Sequence, residues 1–260
     1  MSGRELGIFL WFGYPLPVAE RLRLIAQAGF TSVMLWWADG PQEDRTRAQQ
    51  ADLARRAGLT VANGHLGYER INALWRDNVE GQAVFEGYLA DLDALAESGV
   101  PVGVLHPSRG FDPPPVSALG VARVRALAER AQRRGVRLAI ENMRSPDHLT
   151  GLLEAVDCPA LGFCYDAGHD FCWSPTPYAL LARYGDRLMA VHLHDNHGRQ
   201  DEHLPPGAGD IDWAAVREGL ARSAYRGPLT LEADTEVIPP DRTAQEHLAL
   251  HAAGARAHLL

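Results

Sequence analysis

Only three cysteines occur in the 260 residues, Cys158, Cys164 and Cys172, at spacings that match no metal finger. An odd number of thiols so arranged argues against a disulfide framework and for a reducing, cytoplasmic compartment. Lysine-rich segments are missing, and a formal charge of -8 with a pI near 5.7 opposes general attraction to a polyanion. Nucleic acid is therefore disfavoured as a partner, a local basic patch being its only route onto an acidic surface. No apolar run reaches membrane-spanning length. The opening MSGRELGIFLWFGYPLP has too short an apolar stretch, and too little positive charge before it, for a signal peptide. Low-complexity and linker-like stretches are also lacking, and the proline run FDPPPVS reads as a loop before a helix.

What is present is regular alternation. The runs ELGIF, TSVMLWW, LTVANG, PVGVLH, VRLAIE, ALGFCYD, RLMAVHLHD and GPLTLE each read as a strand. Between them lie helical patterns such as VAERLRLIAQAG, EDRTRAQQADLARRAG, EGYLADLDALAESG and VARVRALAERAQRRG, several closed by a glycine just past the helix end. Eight such units in a chain of 260 residues predict an α/β fold, a single-domain (β/α)8 TIM barrel over residues 1–260.

Polar residues recur where the strand runs end: His65, His106, Glu141, Asp166, His192 and Glu232. Side chains two apart share a face of a strand, so Val104 and His106, Ala139 and Glu141, Cys164 and Asp166, and Thr230 and Glu232 point one way. Leu138, Ile140, Phe163, Tyr165, Leu229 and Leu231 point the other way, toward the helices. The ionisable set thus faces the barrel axis at the C-terminal strand ends, where barrels of this type carry their sites. Three carboxylates converging with several histidines in a confined pocket would repel and desolvate without a compensating cation. The pattern predicts a divalent metal site.

These residues carry a resemblance. GHLGYERINALW, LHPS, IEN, DAGH, HLHDN, DEHLPPGAGDIDW and YRGPLTLE, in this order and spacing over nearly the whole chain, resemble the xylose isomerase-like TIM-barrel superfamily. That superfamily contains sugar and sugar-phosphate isomerases and epimerases as well as endonuclease IV. Resemblance to its epimerases implies one divalent ion on Glu141, Asp166, His192 and Glu232, with His169 touching substrate. Resemblance to endonuclease IV implies three zinc ions, with His65, His106, His169, Asp201 and His203 as further ligands. All nine positions are filled, so the expected cofactor is zinc or manganese, one to three ions per chain.

Two chemistries follow from such a set. In an isomerase or epimerase acting on a small carbohydrate, Glu141 and Glu232 would exchange a proton on opposite faces of an enediolate, with His169 beside them. In an endonuclease IV-like phosphodiesterase, two or three ions would act on abasic DNA gripped by basic loops. A metal-binding barrel without turnover is the third reading. The loop WFGYPLP is aromatic and uncharged, and Trp36 and Trp37 are expected at the same rim, which suits a sugar. Tyr68, with Asn72, resembles a pocket residue, and His194 shares a face with His192. Arg70, Arg76, Arg109, Arg144 and Arg199 in rim loops fit a phosphate on the substrate. RRGVR, around Arg133 and Arg134, precedes a strand and belongs to the opposite end. His148, His247, His251 and His258 fall in helices and receive no role, and His197 is read as lining a loop. Exposed loops in such barrels often complete a neighbouring subunit's site, so a homo-oligomer is compatible with the sequence. The isomerase or epimerase is the leading expectation.

Overall fold

The computed structural model describes residues 3–38 and 44–260. Asp39 and Gly40 of the LWWADG run, and Glu43 at the expected start of the second helix, lie outside them. Eight parallel strands are observed: β1 Leu6–Phe9, β2 Ser32–Trp37, β3 Thr60–Leu66, β4 Val102–Leu105, β5 Arg137–Glu141, β6 Leu161–Asp166, β7 Leu188–His192 and β8 Leu229–Leu231. They pair in the order β7-β6-β5-β4-β3-β2-β1-β8. The ring closes through a Leu193 to Leu231 bridge, with Leu193 N donating to Thr230 O at 2.9 Å and Glu232 N to Leu193 O at 3.2 Å. The chain is a (β/α)8 TIM barrel.

Around it run α1 Val18–Gln27, α2 Arg47–Arg56, α3 Val79–Glu97, α4 Ala118–Arg134, α5 Pro146–Ala155, α6 Ala167–Trp173, α7 Ala179–Tyr184, α8 Trp213–Arg222 and α9 Ala244–His258. Local chemistry fixes their ends. Thr46 and Thr243 build capping boxes with Gln49 and Glu246, and Asn78 and Ser117 cap α3 and α4. Gly135 ends α4 at φ 71°, a left-handed conformation that a β-carbon resists. The third helix begins at Val79, earlier than its sequence pattern, because Asn78 rather than an apolar residue sets the start.

Strand alternation sorts the core into two layers. Leu138, Ile140, Phe163, Tyr165, Leu229 and Leu231 pack outward with the helices. Val102, Val104, Ala139, Cys164 and Ala190 fill the barrel interior, where the ring leaves room only for small side chains. Each large outer side chain contributes roughly 1.5–3 kcal/mol on leaving water. Among the described residues no helix is long and apolar enough to cross a membrane.

Candidate metal centre

One register step above the inner apolar layer, the same strand faces carry the polar residues. Glu141, Asp166 and His192 are completely buried, and His65 and His106 nearly so. Glu141 is the hub. Its Oε2 lies 3.2 Å from both His65 Nε2 and His106 Nε2, and its Oε1 lies 3.1 Å from His192 Nδ1. The two imidazoles themselves meet at 3.0 Å. Glu232, just past β8, approaches the same His192 Nδ1 at 3.4 Å.

The β7–α8 loop completes the constellation. Asp201 Oδ2 lies 3.0 Å from His169 Nε2 and 3.4 Å from His203 Nε2. Asp195, buried beneath the loop, accepts from the backbone of Asn196, Gly207 and Ile211 and from Trp213 Nε1, and so sets its path. His203 sits at φ 52°, unusual for a residue with a β-carbon. A hydrogen bond between its Nδ1 and Glu232 O, 2.9 Å, holds it there. In DAGH, Asp166 Oδ1 accepts from His169 N at 2.6 Å to cap α6. Its other oxygen meets His194 Nε2 at 3.2 Å. Gly168 is required beneath, since a β-carbon there would lie 1.8 Å from the His194 ring.

Burial would push these carboxylates up, but neighbouring imidazoles reverse it: His192 and His106 hold Glu141 well below its usual range. His203, His169 and His194 do the same for Asp201, and His192 lowers Glu232. Conversely, burial opposes protonation of His169, yet Asp166 and Asp201 carry it up to about 10. Burial pushes the His106 imidazole down, whereas protonated His169, His192 and His203 serve as counter-charges of the carboxylates. A divalent ion fits the same role, because the donors are all imidazole and carboxylate, the chemistry of zinc and manganese sites. Glu141 Oε2 is moreover buried with no hydrogen-bond partner among the described residues. Four groups have donor atoms close enough to share an ion: His65, Glu141 and His192; Asp166, His169 and His194; His194, Asp201 and His203; and Glu141, Asp166, His192 and Glu232.

An aromatic wall rims the site. Trp36 stacks on His65 at 5.3 Å, Tyr68 on His106 at 4.2 Å, and Trp173 lies over His169 at 4.7 Å. Burial and Glu232 push the Tyr68 hydroxyl up to about 12, which keeps it a neutral donor. Two rim arginines lie over this wall, Arg109 over Tyr68 at 5.6 Å and Arg144 over Trp173 at 3.9 Å. Arg70 is instead paired with Glu80.

The structure corrects part of the expected substrate set. Trp37 is fully buried, because strand alternation turns it away from Trp36 into the outer core. His194, also fully buried, lies stacked on His203 at 4.1 Å and faces Asp166 at 3.2 Å and Asp201 at 3.6 Å. Arg199 is exposed in a hollow with His197, Gln200, Glu202 and Asp210, apart from the aromatic wall. Sequence reasoning passed over Trp173, although its i+4 spacing from His169 on α6 would have found it.

The chain resembles known proteins throughout. It is 25% identical over 271 residues to a putative hydroxypyruvate isomerase of Streptomyces coelicolor, covering 93% of each chain. It is 26% identical over 233 residues to the 3-dehydroshikimate dehydratase of Pseudomonas putida, covering 82% of this chain and 35% of that one. The chain spans only 23%, 40% and 35% of the first curated relatives it matches. A solved structure described as a xylose isomerase-like TIM barrel/4-hydroxyphenylpyruvate dioxygenase fusion protein superposes with a TM-score of 0.82 at 21% identity, covering 98% of this chain and 42% of that one. Residues 22–253 match the family model for the xylose isomerase-like TIM barrel, and the chain belongs to that family.

Proposed function

We propose that this protein is a divalent-metal-dependent isomerase or epimerase of a small hydroxylated carbonyl compound, of the sugar or sugar-phosphate class. One observation carries the reading: Glu141 Oε1 and Glu232 Oε2 converge on a single atom, His192 Nδ1, at 3.1 and 3.4 Å. Two carboxylates held ionised, on strands three places apart around the ring, thereby flank one point. Glu141, Asp166, His192 and Glu232 would hold the ion, and its chemistry there is Lewis acidity toward a substrate carbonyl. One glutamate takes the proton from the carbon beside the carbonyl. Its return to the opposite face gives epimerisation, and its return to the former carbonyl carbon, with the hydroxyl proton passing to the former carbonyl oxygen, gives isomerisation. His169, at the rim between Asp201 and Trp173, orients a hydroxyl.

Further features support this reading. All 25 basic residues are arginine, so no lysine amine is available for a Schiff base and carbonyl activation needs another electrophile. Trp36, Tyr68 and Trp173 offer rings for a compact substrate to pack against. Arg109 and Arg144 suit an anionic substituent such as phosphate. Hydroxypyruvate isomerase and 3-dehydroshikimate dehydratase are by name enzymes of hydroxylated carbonyl compounds. The unpaired cysteines fit a cytoplasmic enzyme.

The deciding experiment is deuterium incorporation from solvent into a panel of ketoses, aldoses and their phosphates by metal-loaded protein. Exchange abolished by Glu141→Gln and Glu232→Gln is expected, whereas unaltered exchange in both variants would remove the proposed site. A multi-zinc phosphodiesterase is the second reading, favoured by His65 and His106 on one side of Glu141 and by His169, Asp201 and His203 on the other. Two or three zinc ions per chain together with cleavage at abasic DNA would establish it. Loss of both activities with metal retained would leave a barrel that binds metal without turnover.

A further inference from the structure

We propose that His247 and His251 on α9 form a second, separate site for a divalent transition-metal ion, outside the barrel mouth. The two residues are one helical turn apart, the i, i+4 spacing that puts both imidazoles on one face. Their ring centroids are 4.5 Å apart. His247 is 9% exposed and His251 is fully buried. Yet His247 Nε2 and both ring nitrogens of His251 find no hydrogen-bond partner among the described residues. A buried polar atom without a partner is costly, so three on adjacent buried rings mark a place built to receive something polar.

The surroundings narrow what that is. Both histidines line a hollow of about 60 Å³ together with His203, Glu202, Asp234 and Asp241. That is room for an ion with a water or two, at about 30 Å³ per water, and far below the roughly 300 Å³ of a small-molecule pocket. Three carboxylates line the wall as oxygen donors, Asp241 bonded to Arg242 at 2.6 Å, Asp234 lying 3.6 Å from His203 and Glu202 lying 2.9 Å from His197. Burial holds the His247 imidazole down at about 4 and His251 well below its usual value, so both rings keep the free lone pair that a ligand needs. Phe12 and Tyr14 pack against His247 and fix its plane. Paired neutral imidazoles select zinc, nickel, copper or cobalt over magnesium or calcium.

The test is metal counting on full-length protein dialysed against buffered free zinc. His251→Leu and His247→Gln should each carry one ion fewer per chain than the wild type, or bind that ion at least tenfold more weakly. Glu141→Gln should lose ions from the barrel mouth and keep this one, which separates failure of the two sites. Zinc content and affinity unchanged in His247→Gln and His251→Leu would overturn the proposal. Should His251→Leu not fold, judged by its melting in chelator, the more accessible His247→Gln decides alone.

Discussion

The lower and upper halves of the barrel interior are made by the same strand faces, two residues apart, and they are equally buried. Below lie Val104, Ala139, Cys164 and Ala190; above lie His106, Glu141, Asp166 and His192. Solvent access therefore does not distinguish them. The lower half is stable because its atoms need no partner, and the upper half only because each carboxylate faces an imidazole. Folding energy and binding chemistry are stacked along one axis, and a substitution should reveal which level it strikes.

The sharpest contrast comes from the upper level. Glu141→Gln keeps shape and removes a proton acceptor, so turnover should fall by roughly 10²–10⁴-fold, with bound metal reduced in the same preparation. Asp195→Ala strikes the support of the loop carrying Asp201 and His203. Its four donors lose their acceptor, and a stability loss on the order of 1–3 kcal/mol, read from denaturant midpoints, should accompany weaker metal binding. Ala139→Leu overfills the lower level and should cost about 1–3 kcal/mol while leaving metal stoichiometry intact. Equal metal loss in Ala139→Leu would erase the distinction between the levels.

A pH dependence of the metal-free protein tests the upper level in another way. Burial works against His169 protonation, but Asp166 and Asp201 hold its folded value at about 10, above roughly 6.5 for an unfolded chain. Its contribution to the metal-free protein is complete below that unfolded value and is lost as pH rises through about 10. Melting temperature without metal should therefore fall between pH 7 and 10, and zinc should flatten the curve. Against its burial, His192 is also held protonated by Glu141 and Glu232 and must give up a proton to take the ion, so calorimetry in buffers of different ionisation enthalpy should detect proton release.

All eight strands and their inward faces were legible because period-two alternation needs only local sequence. The buried polar cluster was legible in the sequence because Glu141, Asp166 and His192 end β5, β6 and β7. What stayed hidden depends on partners far apart in the chain. Trp36 and Trp37 are adjacent in sequence, yet one stacks on His65 and the other enters the outer core. Nothing local ties Arg144 to Trp173, since their meeting requires the loop after β5 to fold over α6. His247 and His251 looked like ordinary helix residues, and only the packing of α9 exposes their unpartnered nitrogens.

The joint between β7 and β8 is the thinnest in the ring, a single bridge at Leu193 and Leu231. His192 and Glu232 stand on either side of it, 3.4 Å apart. An ion gripping both would act as the clasp of a bracelet, joining the first and last links where the backbone does least. Resistance to proteolysis near this joint would then rise and fall with metal supply, making the protein's lifetime in a metal-poor cell a function of the two side chains proposed to hold the ion.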